Sequence, residues 1–77
     1  MLEHLIVRFD PADIREVLLD GDDVGPTESV LLVDTDRYEI TLSGAQDYTP
    51  ASQDVLVSGT SSASPLIVSF ARAAAGA

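Results

Sequence analysis

The chain reads as all-β: a small antiparallel, Greek-key-like β-sandwich of about six or seven short strands. Three observations predict it. The stretch DRYEITLSG alternates strictly, with Tyr38, Ile40 and Leu42 on one side and Arg37, Glu39, Thr41 and Ser43 on the other, the period of two of a half-buried strand. Four more runs, LIVRF, SVLLV, QDVLV and LIVSF, are short and rich in β-branched residues, which fit a pleated sheet. The segments between them, DGDDVGPT, DTD, SGAQDYTPAS and SGTSSASP, are dense in Gly, Pro, Asp and Ser, the residues that make turns.

Taken in order, LIVRF predicts a first strand with Leu5, Val7 and Phe9 facing inward and Arg8 outward. The segment at residues 10–19, DPADIREVLLDG in context, carries two competing signals. As a short helix it has Asp10 as N-cap, Pro11 at the first helical position, Ile14, Val17 and Leu18 on one face and Gly21 as the stop. As a strand over residues 15–19 it runs into an Asp-Gly turn and supplies the pairing that a sandwich needs, with a turn at residues 10–13. The strand is the preferred reading. SVLLV, the Tyr38 strand, QDVLV and LIVSF follow, the last with Leu66, Val68 and Phe70 on one face after a polar crossing at residues 58–64. Residues 1–70 are expected to form one domain, and ARAAAGA at residues 71–77, which has no large apolar residue, a flexible tail.

Composition narrows the function. A chain of 77 residues holds one small core and buries only about 60% of its unfolded surface. Cysteine is absent, so no disulfide or thiolate site staples it. Thirteen Asp and Glu stand against four Arg and no Lys, a net charge of -9. Scattered arginines in an acidic chain argue against nucleic acid and anionic membranes as partners, because phosphate binding needs clustered cations. No apolar run has the length of a membrane span, and MLEHLIVRFD lacks the features of a signal peptide. The cytoplasm is the expected location, with a surface location if the chain is a fragment.

The motifs that suggest chemistry lack their companions. SGTSSASP resembles the nucleophile motif of subtilisin-like proteases around Ser61, a third and remote reading of the chain as a serine hydrolase. Such an enzyme requires Asp, His and Ser in that order. Here Asp34 is followed by Thr35 and then Asp36 instead of Gly, and the sole histidine, His4, precedes it and is followed by Leu5. A serine without a base to take its proton is not a nucleophile, so no enzyme activity is expected. Asp20, Asp22 and Asp23 gather carboxylates but miss the spacing of a calcium loop. No cofactor is expected, since no glycine-rich phosphate loop or paired acid and base appears. Tyr38 belongs to the inward series, whereas Tyr48 is expected to pack over the sheet rim with its hydroxyl wet.

From Ile14 onward the rhythm of the chain is that of a known family. A strand ends in Asp20-Gly21, a turn carries Val24-Gly25 and Thr27, a strand and turn lead to Tyr38-x-Ile40-x-Leu42, a loop holds Tyr48 and Pro50, and Val55-x-Val57 precedes a last strand ending at Phe70. In this pattern the chain resembles the PEGA domain family, departing from it at Glu28, where the family has Pro. The resemblance implies a small β-sandwich without catalytic residues, appended to surface, lipoprotein or signalling proteins. The expected function is therefore a non-catalytic interaction or assembly module. It would bind a protein partner or a second copy through an exposed sheet edge or the loops, with Tyr48, Asp22 and Asp23 as the candidate surface. A glycan-binding module, using Tyr48 as an aromatic platform, is the alternative.

Overall fold

The computed structural model describes residues 2–10 and 14–73. Eight strands succeed one another: β1 (Leu2–Asp10), β2 (Glu16–Leu19), β3 (Asp22–Pro26), β4 (Val30–Asp34), β5 (Asp36–Leu42), β6 (Tyr48–Thr49), β7 (Gln53–Val57) and β8 (Leu66–Arg72). They form two four-stranded sheets. Sheet A has the order β4-β1-β8-β6 and sheet B the order β3-β2-β5-β7. Between them lies a core that includes Leu5, Val7, Phe9, Val17, Ile40, Val57 and Phe70. The all-β sandwich predicted from the alternation is the fold observed.

Its details differ from expectation in four places. The sheets are not wholly antiparallel, because β1 and β8 run parallel, with Leu5 beside Leu66 and Phe9 beside Phe70. From β4 onward every connection changes sheet: β4 passes to β5 through Thr35 alone, the chain then goes to β6 in sheet A and back to β7 in sheet B, and residues 58–65 carry it to β8 in sheet A. That repeated crossing lets the last strand lie alongside the first in the same direction. Two strands occupy segments read as turns, the two-residue β6 and β3. β3 lacks alternation because it is a terminal strand, bulged between its pairings with Val17 and Leu18.

The conflict over residues 10–19 falls to the strand. No helix occurs among the described residues, and β2 buries Val17 and Leu19 while Ile14 is exposed, the opposite of the helical face. The turn expected at residues 10–13 lies largely outside the described residues. Asp20-Gly21 forms the tight β2–β3 turn, with φ of 51° and 88°, the positive angles that a two-residue hairpin demands. The first two residues of the expected tail are strand. Ala71 and Arg72 belong to β8, paired with Asp10 on one side and with Thr49 and Tyr48 on the other, since ladder hydrogen bonds need no apolar side chain. Residues 74–77 lie outside the described residues.

Gly25 shows how tightly the two layers meet. Its φ is 134°, and a Cβ there would stand 2.7 Å from Leu31 Cδ2. Gly25→Ala is expected to cost about 1–3 kcal/mol, from strain at an angle that L-residues avoid and from displacement of Leu31. A urea titration checks this: the midpoint falls while the slope is unchanged.

Candidate interaction face

An antiparallel sheet with one wet face shows polar residues on that face. The outer face of sheet A does not. Along β1 the inward series is Glu3, Leu5, Val7 and Phe9, which leaves Leu2, His4, Ile6 and Arg8 pointing out. In β4, Leu31 and Val33 are buried while Val30 and Leu32 face solvent, and in β8 Val68 and Phe70 are buried while Ile67 faces solvent. The registers assemble these residues: Val30, Ile6 and Ile67 form one row across three strands, Leu32 lies beside His4, and Leu2 beside Asp34. Leu2, Val30, Leu32 and Ile67 are 58%, 53%, 58% and 55% exposed, so more than half of each side chain's surface is wet. His4, in the middle of this face, is half-buried, and its Nδ1 atom is buried with no hydrogen-bond partner among the described residues.

The two ends of the face differ. At the Leu2 end a hollow of about 260 Å³ is lined by Leu2, Leu32, Val24, Tyr38, Asp22 and Asp34. The Tyr38 hydroxyl donates to the Asp34 carbonyl at 2.7 Å; burial, followed by the nearby charges of Asp36, Asp34 and Asp20, raises its pKa. At the other end Arg8, Glu28, Thr49, Ser69 and Ala71 line a depression of about 460 Å³, where small side chains leave the sheet uncovered. Arg8 Nε lies 3.5 Å from Glu28 Oε2. One end is thus acidic and the other carries a cation.

Sheet B turns a different surface outward. Its outer face presents Glu16, Asp23, Glu39 and Asp54 with Arg37 and the exposed Leu56, and Glu39 sits directly opposite Asp54. Asp23 is close enough to Glu16 to raise the Glu16 pKa by charge repulsion. This face is therefore more acidic than the outer face of sheet A, although it holds only four of the thirteen acids.

The sequence-derived candidates scatter. Asp22 lines the hollow beside Leu2, whereas Asp23 lies with Glu16 across the sandwich, so the two do not form one surface; both belong to strand β3 and not to a loop. Asp20 is engaged elsewhere, its carboxylate accepting the Glu39 N–H at 2.9 Å. No group of three or more His, Asp or Glu is placed to hold a metal ion among the described residues. Ser61 Oγ accepts the Ser64 N–H at 3.1 Å, and the two residues bridge through their backbones. This is a closed polar turn entering β8. Asp34 belongs to the Leu2 hollow and Thr35 donates to Glu3, so the residues that resembled a protease motif are not gathered around Ser61.

Tyr48 corrects its expectation. It is only 7% exposed, its ring set edge-on to Phe70 at 5.4 Å and to Phe9 at 6.2 Å. Its hydroxyl is dry, accepting the Leu42 N–H at 3.2 Å and donating to the Leu42 carbonyl at 3.1 Å. Arg15 clamps the loop that precedes Tyr48. Its guanidinium donates to the Ser43 and Ala45 carbonyls and to both Asp47 carboxylate oxygens, and it lies 5.1 Å over the Phe9 ring, as does that of Arg72. Burial works to raise the Asp47 pKa, but the hydrogen bond and charge of Arg15, aided by Arg72, hold it below the usual value. The aromatic platform on which glycan binding rested is interior.

The residues that matter on sheet A left a signal in the sequence. SVLLV and LIVSF are apolar where a strand with one wet face alternates, and the off-phase residues Val30, Leu32 and Ile67 are those now exposed. No helix among the described residues is long and apolar enough to cross a membrane. No family model, curated protein or solved structure matches the chain.

Proposed function

We propose that this chain is a non-catalytic protein-interaction or assembly module, and that it docks through the outer face of sheet A. The observation that carries this is the wet apolar row Val30–Ile6–Ile67 with Leu32 and Leu2 beside it. Scattered exposed leucines are ordinary, but a contiguous patch on one face marks a surface that gains by being covered. The resemblance to the PEGA family, which implies no catalytic residues, points the same way.

Where β1 and β8 run past their shorter neighbours, their backbone groups are already taken, which leaves less there for an added strand to pair with. Beyond the β1–β4 pairing, Glu28 takes the place of a neighbouring strand: its N–H donates to the Val7 carbonyl at 2.9 Å and its carboxylate accepts the Phe9 N–H at 2.9 Å. On β8, Gln53 Nε2 donates to the Ser69 carbonyl at 2.7 Å. Thr27 and Arg15 likewise exchange backbone and hydroxyl hydrogen bonds.

The test is the double variant Leu32→Asp/Ile67→Asp, whose sites are exposed enough for the fold to tolerate charge. With circular dichroism unchanged, immobilised variant is expected to lose the protein that wild type retains from its native lysate, be it another protein or its own kind. Equal retention by both would place the binding surface elsewhere and overturn the reading.

A further inference from the structure

We infer that the occupant of this face is a second copy of the chain, bound face to face about a two-fold axis; this rests on the reading of sheet A as the docking surface. Charge placement argues for it first. Repulsion between copies of a chain with a net charge of -9 is smallest where the less acidic faces meet. Stacking sheet A on sheet A leaves both sheet B faces outermost. With layers about 10 Å apart, those faces are separated by roughly 30 Å, several times the ~8 Å screening length at physiological salt.

The face is also complementary to itself. A two-fold axis lying in the interface across the strands reverses strand direction, bringing the acidic end of one copy over the end of the other that carries the Arg8–Glu28 pair. Asp34 is the register partner of Leu2, and Arg8 lies six residues further along β1, about 20 Å away. The axis therefore sets Arg8 of each copy beside Asp34 of the other, two equivalent pairs as a closed dimer requires. His4 and Ile6 lie midway, so the apolar rows stack on each other at the axis. Strands of nine, five, seven and two residues about 4.8 Å apart give a face on the order of 360 Å², under half the ~800 Å² per partner of a standard interface, the size of a weak and reversible association.

Sedimentation velocity from 1 to 200 µM tests this on the whole chain. Wild type is expected to pass from monomer to dimer across that range, and Leu32→Asp/Ile67→Asp to weaken dimerisation at least a hundredfold. Arg8→Glu and Asp34→Arg are each expected to weaken it several-fold, and the two combined to restore it, because each exchanged charge then faces the other's. A wild type that is monomeric throughout overturns the second-copy inference, whereas the lysate comparison still judges the docking face separately. A dimer that survives Leu32→Asp/Ile67→Asp overturns the placement of the second copy on this face. A dimer lost in that variant but not restored by the charge exchange overturns the two-fold arrangement.

Discussion

Val68→Asp is expected to abolish the fold at neutral pH. Val68 sits in the middle of β8, 5% exposed, paired with Val7 across the parallel ladder. A carboxylate there faces a core that includes Phe9, Val17, Ile40 and Val57, with no cation built to meet it. Burying an unpaired charge costs several kcal/mol, and a domain of this length has only about 4–12 kcal/mol of stability at ~0.05–0.15 kcal/mol per residue. Small size sharpens the effect, because one core serves both sheets and cannot lose a central strand and persist. Ser61→Ala is the matched control seven residues away. It removes one acceptor from an exposed turn and is expected to change stability by less than about 0.5 kcal/mol. Far-ultraviolet circular dichroism and amide proton dispersion distinguish the two, one collapsing and the other native; a native Val68→Asp spectrum would refute the burial of that face.

Much of this architecture was legible because it rests on local rules. The alternation of Tyr38, Ile40 and Leu42 gave β5, and Asp20-Gly21 gave the hairpin. What escaped depends on residues distant in sequence. β3 carries no periodic pattern, since a bulged terminal strand has little to bury. Tyr48 follows a polar loop that Arg15, 33 positions earlier, clamps through contacts its own neighbours do not announce. The apolar outer face of sheet A is hard to read for another reason: runs such as SVLLV and LIVSF identify a strand whether one of its faces is covered or both. Glu28 illustrates the limit of resemblance. It stands where the PEGA pattern has Pro, and the glutamate supplies two edge hydrogen bonds to β1 that proline's missing N–H and side chain cannot.

Glu3 was the least legible of all, an acid in an apolar strand that turned out to be buried, 3% exposed. Its carboxylate ties together two of the crossings between the sheets, β4–β5 and β7–β8. Thr35, the single residue between β4 and β5, donates its hydroxyl to Glu3 Oε2. Thr60, in the β7–β8 crossing, donates its N–H at 3.0 Å and its hydroxyl at 2.6 Å to Oε1, and that hydroxyl accepts the His4 N–H at 2.7 Å. The hydrogen bond from Thr35, followed by those from Thr60, lowers the Glu3 pKa from 4.5 to about 2, against the opposing effect of burial. A carboxyl whose pKa is lower folded than unfolded stabilises the fold fully above 4.5, and that contribution is lost as the pH falls from 4.5 towards 2, because the unfolded chain takes the proton first. Asp47 acts in the same direction. Glu16 acts in the opposite one: with its pKa raised by Asp23, the folded chain binds that proton first, so acidification from neutral pH relieves repulsion. The melting temperature is therefore expected to rise slightly from pH 7, peak at about pH 5 and fall steeply below pH 4.5. Glu3→Gln keeps an acceptor for the Thr60 N–H but does not titrate, and should flatten the acid limb while lowering stability at pH 7. Glu3→Ala removes the acceptor altogether and should lower it further. An acid limb equally steep in Glu3→Gln would show that other carboxyls, and not this tie between the crossings, govern the acid stability of the sandwich.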